Sequence, residues 1–229
     1  MTLRSIMRVL AMGAAVVALV SVLSVGASAQ KYIAVAGTFV GTVADGCDPA
    51  GHKIVTAVWL GGLGLPDNGT ANPGGGVQQG LLLSKNGPSS DCSAAGASIT
   101  GWTSGNTLNA LGFDYRLGGH CGGGAPRFNV TDTSDVIYFF GCNTGTASAA
   151  PQDPANWTRV TYNAAGAPYP GAELFVFGVT PVKSIEIIFD EGTDVPNAGD
   201  PEGVGLATLD NIRIDNTLIT KKAGNNILP

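Results

Sequence analysis

Charge is scarce in this chain, and positive charge is scarcest. Charged residues make up 13% of it, about half the usual share, and 12 Lys and Arg stand against 17 Asp and Glu. The only adjacent basic pair is Lys221-Lys222. Nucleic acid and anionic lipid are held by clustered Lys and Arg that release counterions, so neither is expected as a partner. A sustained helical period is also missing: no window from Gln30 onward shows one, and short β-rich segments recur instead between Gly, Pro, Asn and Asp clusters. No internal repeat suggests the blades of a propeller. Catalytic signatures are absent too. There is no Gly-x-Ser-x-Gly elbow, no His-Glu-x-x-His helix and no Glu-x-Asp-x-x-Glu strand. Neither Gly74-Gly-Gly76 nor Gly122-Gly-Gly124 is followed by Gly-Lys-Ser/Thr, so neither is a phosphate loop.

What is present begins with an export signal. Arg4 and Arg8 precede an apolar run from Val9 to about Val25, and Ala27-Ser28-Ala29 supplies a small-residue cleavage pattern. Residues 1–29 are therefore expected to be a signal peptide, with Gln30 the mature N-terminus. The apolar run is at the short limit for spanning a bilayer and no positive cluster follows it, so no membrane insertion is expected after processing. The expected location is secreted or extracellular. The short n-region looks bacterial, and the sequons at Asn68, Asn129 and Asn156 are then expected to carry no glycan. Processing removes Arg4 and Arg8, leaving 10 basic against 17 acidic residues, a formal charge of −7. The remaining chain, roughly 200 residues, suits one β-sandwich core, expected over residues 30–220, followed by a flexible tail at 221–229 that has no packing pattern.

Four cysteines remain, Cys47, Cys92, Cys121 and Cys142, and an even number in an exported chain favours disulfides. Cys121 and Cys142 bracket an apparent hairpin in which Arg127 to Thr131 returns as Val136 to Phe140 through Asp132-Thr-Ser-Asp135. Of the three possible pairings this favours Cys121 with Cys142, leaving Cys47 with Cys92. A zinc site using His52 or His120 is the alternative, although no Cys-x-x-Cys spacing occurs.

Eleven short strands are expected: 33–43, 53–60, 77–84, 97–102, 108–117, 127–131, 136–141, 158–162, 173–179, 182–190 and 207–219. Joined by turns, they fit a two-sheet antiparallel β-sandwich of jelly-roll type. Loops at 61–76, 85–95, 144–156 and 192–205 are expected at its ends, where a local function would sit. The most informative block runs from Ser184 to Asp215. Ile185, Ile187 and Phe189 share a face by the two-residue period, and the same period puts Asp210 on the face of Ile212 and Ile214. A carboxylate facing inward needs a cation or several hydrogen bonds. The intervening loop mixes acids with glycine, the oxygen-rich chemistry that calcium takes. Asp190, Asp194 and Asp210 are the candidate metal ligands, with Glu191 beside them; backbone amides, Arg127 or Arg159 would satisfy Asp210 equally.

Leu209-Asp-Asn-Ile212, following an Ile-Glu-Ile-Ile-Phe-Asp strand and an acidic loop, resembles the final strands of secreted bacterial jelly-roll domains, including carbohydrate-binding modules and galactose-binding-like domains. The resemblance covers about thirty residues. It implies that Asp210 is a ligand to a structural calcium (Ca2+) near the start of the domain, and that the partner is an extracellular polysaccharide or surface glycan. The opening Ile33-Ala-Val-Ala-Gly37-Thr-Phe39 differs from the Asn-Gly-Asp-Phe-Glu type found in such domains.

Sugar recognition uses a flat aromatic ring beside polar side chains that select hydroxyls. Trp102 and Trp157, in polar turn-rich surroundings, are the candidate carbohydrate-binding residues, whereas Trp59 reads as strand core. The expected function is a secreted non-catalytic module that binds extracellular carbohydrate. A structural or adhesive cell-surface protein is the alternative. The third reading is a small carboxylate-dependent glycosidase that would need a pair such as Glu173 and Glu186.

Overall fold

The structure is a computed structural model that describes residues 32–65, 78–196 and 203–219. The expected signal peptide and C-terminal tail lie outside the described residues. The strands are β1 (Ile33–Val40), β2 (Val55–Gly61), β3 (Gln79–Lys85), β4 (Ser93–Thr100), β5 (Asn106–Thr107), β6 (Ala110–Arg116), β7 (Arg127–Asp132), β8 (Ile137–Gly141), β9 (Thr146–Ala149), β10 (Trp157–Asn163), β11 (Pro181–Phe189), β12 (Leu206–Ile214) and β13 (Thr217–Ile219). They form two antiparallel sheets. Six strands run in the order β1-β4-β11-β7-β8 with β5 beside β11; seven run β2-β3-β12-β6-β10-β9 with β13 beside β12. The chain crosses repeatedly between the sheets, as the sandwich expectation requires.

Alternation drives the packing. In β11, Ile185, Ile187 and Phe189 are fully buried while Glu186 and Ile188 turn outward. They meet Leu81, Leu83, Leu111, Phe113 and Leu209 of the other sheet in one core. Each such side chain contributes roughly 1.5–3 kcal/mol on leaving water. At one end Phe140 meets Tyr162, Tyr169, Phe175 and Phe177 edge-on or tilted. Both disulfides join as expected, Cys47 to Cys92 and Cys121 to Cys142.

Three differences from the expectation have local causes. Residues 173–179 are turns rather than a strand, because Phe175 and Phe177 both plug the aromatic cluster and the backbone closes on itself through Phe175 N–H to Ala172 O and Val179 N–H to Val176 O. The stretch 144–156 contains the edge strand β9, whose small side chains carry no hydrophobic signal. The last expected strand is a hairpin, β12 and β13, turning at Asp215 with φ of 52°.

A bulge in β12 corrects the face assigned to Asp210. Asp210 pairs with Asp114, but Arg213, not Ile212, pairs with Gly112, and Asn211 between them has φ of 47°. One extra residue reverses the alternation. Leu209, Ile212 and Ile214 enter the core, while Asp210 lies on the outer face with Asp114.

Candidate functional site

The outer face of the six-stranded sheet carries the most sugar-like chemistry among the described residues. Register lines up Val35, Ser98, Glu186, Asn129 and Phe139 across five strands. The next row is Gly37, Gly96, Ile188, Arg127 and Gly141. Gly37 and Gly96 stand opposite each other and contribute no side chain, which leaves a notch walled by Phe39 and Ile188. The notch belongs to a groove of about 370 Å³ over β1, β4 and β11, lined also by Ser98 and Glu186. Phe39 is 51% exposed. An exposed aromatic ring, a serine hydroxyl and a carboxylate around a side-chain-free floor can hold a pyranose face and two or more hydroxyls. The sequence alone assigned a binding role to neither Phe39 nor the glycine pair. Only strand register reveals them.

Beyond the groove, Arg127 donates from both terminal nitrogens to Asp190, at 2.6 and 2.8 Å, and from Nε to Asn129. Such a fork is the strong form of an ion pair. Both carboxylate oxygens of Asp190 are thereby engaged. Asp194 accepts from the Ser89 amide and hydroxyl at 2.7 and 2.8 Å, which holds its pKa below the ordinary value. Glu191 pairs with the buried His120. Gly122 and Gly124 wrap that carboxylate so closely that a Cβ at either would collide with it.

The metal expectation therefore does not assemble. Asp190, Asp194 and Asp210 are engaged separately, Asp210 on the other sheet, and no group of three or more His, Cys, Asp and Glu among the described residues is placed to hold an ion. The acidic loop has a cation nonetheless. Lys85, 0% exposed at the end of β3, donates from Nζ to Ser89 O at 2.9 Å, Asp91 O at 2.7 Å and Asp190 O at 2.8 Å. Three N–H donors meet three carbonyls, two from the 89–91 loop and one just past the end of β11. Burial lowers the pKa of this ammonium, and Asp190, Asp91 and Asp194 oppose the shift.

On the seven-stranded sheet the outer face is covered. Asp210, 1% exposed, accepts from Leu65 N–H and Asn211 N–H, each at 2.6 Å. The backbone amides foreseen as its alternative partners are in place. Asp114 takes Arg159 in a fork at 2.7 and 2.9 Å and also accepts from Asn211 Nδ2, which raises the Arg159 pKa. Trp157 is 4% exposed and packs with Leu65 and Ala150. The expectation of a flat ring there facing a ligand fails, because segments 62–65 and 150–153 lie over this face. Trp102 is half-buried; its ring meets Tyr32 and its indole N–H donates to Val182 O. Trp59 is core, as expected, donating to Ala34 O.

The zinc alternative fails because all four cysteines are disulfide-bonded. His52 Nδ1 instead lies 2.5 Å from Asp91. Glu173 accepts from Gly171 N–H in the turns after β10, while Glu186 faces Ser98 in mid-sheet at 3.5 Å, so the two belong to different regions.

No protein-family model matches the chain, and no curated protein matches it. Among solved structures it is similar to the family 11 carbohydrate-binding module of the cellulosomal cellulase Lic26A-Cel5E of Clostridium thermocellum, at 13% identity and a TM-score of 0.37, over 83% of this chain and 91% of that one. It is also similar to the CBM22-1 xylan-binding domain of Paenibacillus barcinonensis Xyn10C, at 14% identity and a TM-score of 0.32, over 75% and 85%. At these scores neither likeness assigns a ligand or a site to this chain.

Proposed function

We propose that the protein is a secreted, non-catalytic module that binds an extracellular polysaccharide along the outer face of its six-stranded sheet. The observation that carries the reading is the groove of Phe39, Gly37, Gly96, Ser98 and Glu186. Phe39 supplies a flat apolar face at low entropic cost, the glycines let a ring approach the backbone, and Ser98 and Glu186 select hydroxyls. Trp102, half-buried against Tyr32 and the core, is a second candidate contact, and Trp102→Ala belongs in the binding assays. Lys85 places an ammonium within the acidic loop beside it. The two disulfides suit an oxidising compartment. Pull-down on insoluble polysaccharides followed by calorimetry with soluble fragments tests the reading. Binding should fall at least tenfold in Phe39→Ala and in Glu186→Gln with an unchanged melting temperature. Wild-type affinity in both variants would remove the groove from consideration.

A protein-binding surface role has its own observation. Leu174 is 83% exposed and Val179 67%, with Val176 and Ile137 also exposed, and exposed apolar side chains of this size favour protein contact. Concentration-dependent association on sizing, abolished by Leu174→Asp, would support it.

A further inference from the structure

A second cavity, of about 430 Å³, opens where the inner face of the seven-stranded sheet runs past its partner sheet. Tyr115, Val160 and Ala147 line it, and each belongs to the inward set of its strand; Val160 is buried, while Tyr115 is half-buried and Ala147 exposed. The Cys121–Cys142 disulfide makes one wall. Gly118, Gly119 and Gly145 border the opening, and at Gly145 a Cβ would meet the Tyr162 ring within 2.7 Å. The half-buried Tyr115 ring and the exposed Asn143 amide are the polar-capable side chains, and none of the lining residues is charged.

We propose that this cleft is a second binding subsite, one that takes a neutral sugar ring. An uncharged lining gives an ion no partner, whereas the Tyr115 ring offers an apolar face and Asn143 offers both a donor and an acceptor to hydroxyls. Because a covalent bridge fixes its wall, little ordering is lost when a ligand enters. The chemistry differs from that of the sheet groove, where Glu186 supplies a carboxylate. The inference shares the glycan class of the function proposed above but rests on separate residues.

The test is an NMR titration of the oxidised mature chain with methyl glucoside, methyl galactoside and methyl mannoside, repeated on Asn143→Ala, Tyr115→Phe and Phe39→Ala. At least one glycoside is expected to shift the amides of 117–119 and 143–147. Asn143→Ala should weaken that response about fivefold, the loss of one hydrogen bond, and Tyr115→Phe should weaken it less. Phe39→Ala should leave it intact. Shifts confined to Phe39, Gly96 and Ser98 and abolished by Phe39→Ala would overturn the cleft and leave the groove standing. Shifts confined to the cleft would do the reverse. Unaltered affinity in Asn143→Ala, or saturation of the cleft by a short acyl chain with no response to any glycoside, would also overturn the proposal.

Discussion

The outer faces of the two sheets obey one alternation rule and meet opposite fates. On the six-stranded sheet, Ser98, Glu186 and Phe39 remain open to solvent beside a glycine notch. On the seven-stranded sheet, Asp114, Asp210 and Trp157 face outward just as regularly, yet segments 62–65 and 150–153 cover them. The covered face uses its polar groups on one another: the Asp114–Arg159 fork, Asn211 on Asp114, and Leu65 N–H on Asp210. Polar residues under a cover hold the fold, while polar residues on the bare sheet remain free to meet a ligand. Position in a strand alone does not distinguish the two.

Substitutions on the two faces should therefore separate stability from binding. The largest effect is expected for Asp114→Ala, which strands the Arg159 guanidinium and the Asn211 amide under cover; urea unfolding should show a loss of about 3–5 kcal/mol with glycan affinity retained by the folded fraction. Lys85→Met comes next. It leaves three carbonyls without a donor and should cost about 3 kcal/mol, and the melting temperature of the wild type should not move in excess chelator. A chelator-induced fall in melting temperature would return a bound ion to the acidic loop. On the bare face, Glu186→Gln should change stability by less than about 0.5 kcal/mol, so that calorimetry alone registers it. A melting loss comparable to that of Asp114→Ala would erase the contrast between the faces.

The smallest effect concerns acid. Asp91 is held at about 2 by the Ser93 hydroxyl and then by His52, below the 3.8 of an unperturbed aspartate. Its folded-state pKa is depressed, so its contribution is complete above pH 4 and is lost as pH falls through about 2. Ser93→Ala should lower stability above pH 4 and flatten the acid-unfolding slope between about pH 4 and 2, which urea unfolding across that range measures.

Much of the sandwich could be read from residue order, because it depends on local alternation. Ile185, Ile187 and Phe189 face the core as their spacing requires, and the hairpin between Cys121 and Cys142 places those sulfurs within bonding reach. The candidate site was less legible because its parts become neighbours only through pairing. Gly37 and Gly96 are far apart in sequence, and nothing local marks Phe39 as the wall of a notch. Trp157 looked available because its neighbours are polar, but the segments that cover it are loops whose paths no periodicity reveals. Lys85 carried one usable signal: a lysine closing the apolar run Leu81-Leu-Leu83 in a chain poor in positive charge.

The extra residue at Asn211 acts on β12 as a frameshift acts on a message. Every side chain after it is read out on the opposite surface, so Ile212 and Ile214 face oil while Arg213 faces out. Paired without the bulge, the same residues would turn Ile212 and Ile214 outward and Arg213 inward, delivering a guanidinium to the hydrocarbon interior. The last strand of the sandwich thus depends on a count, odd or even, as much as on composition.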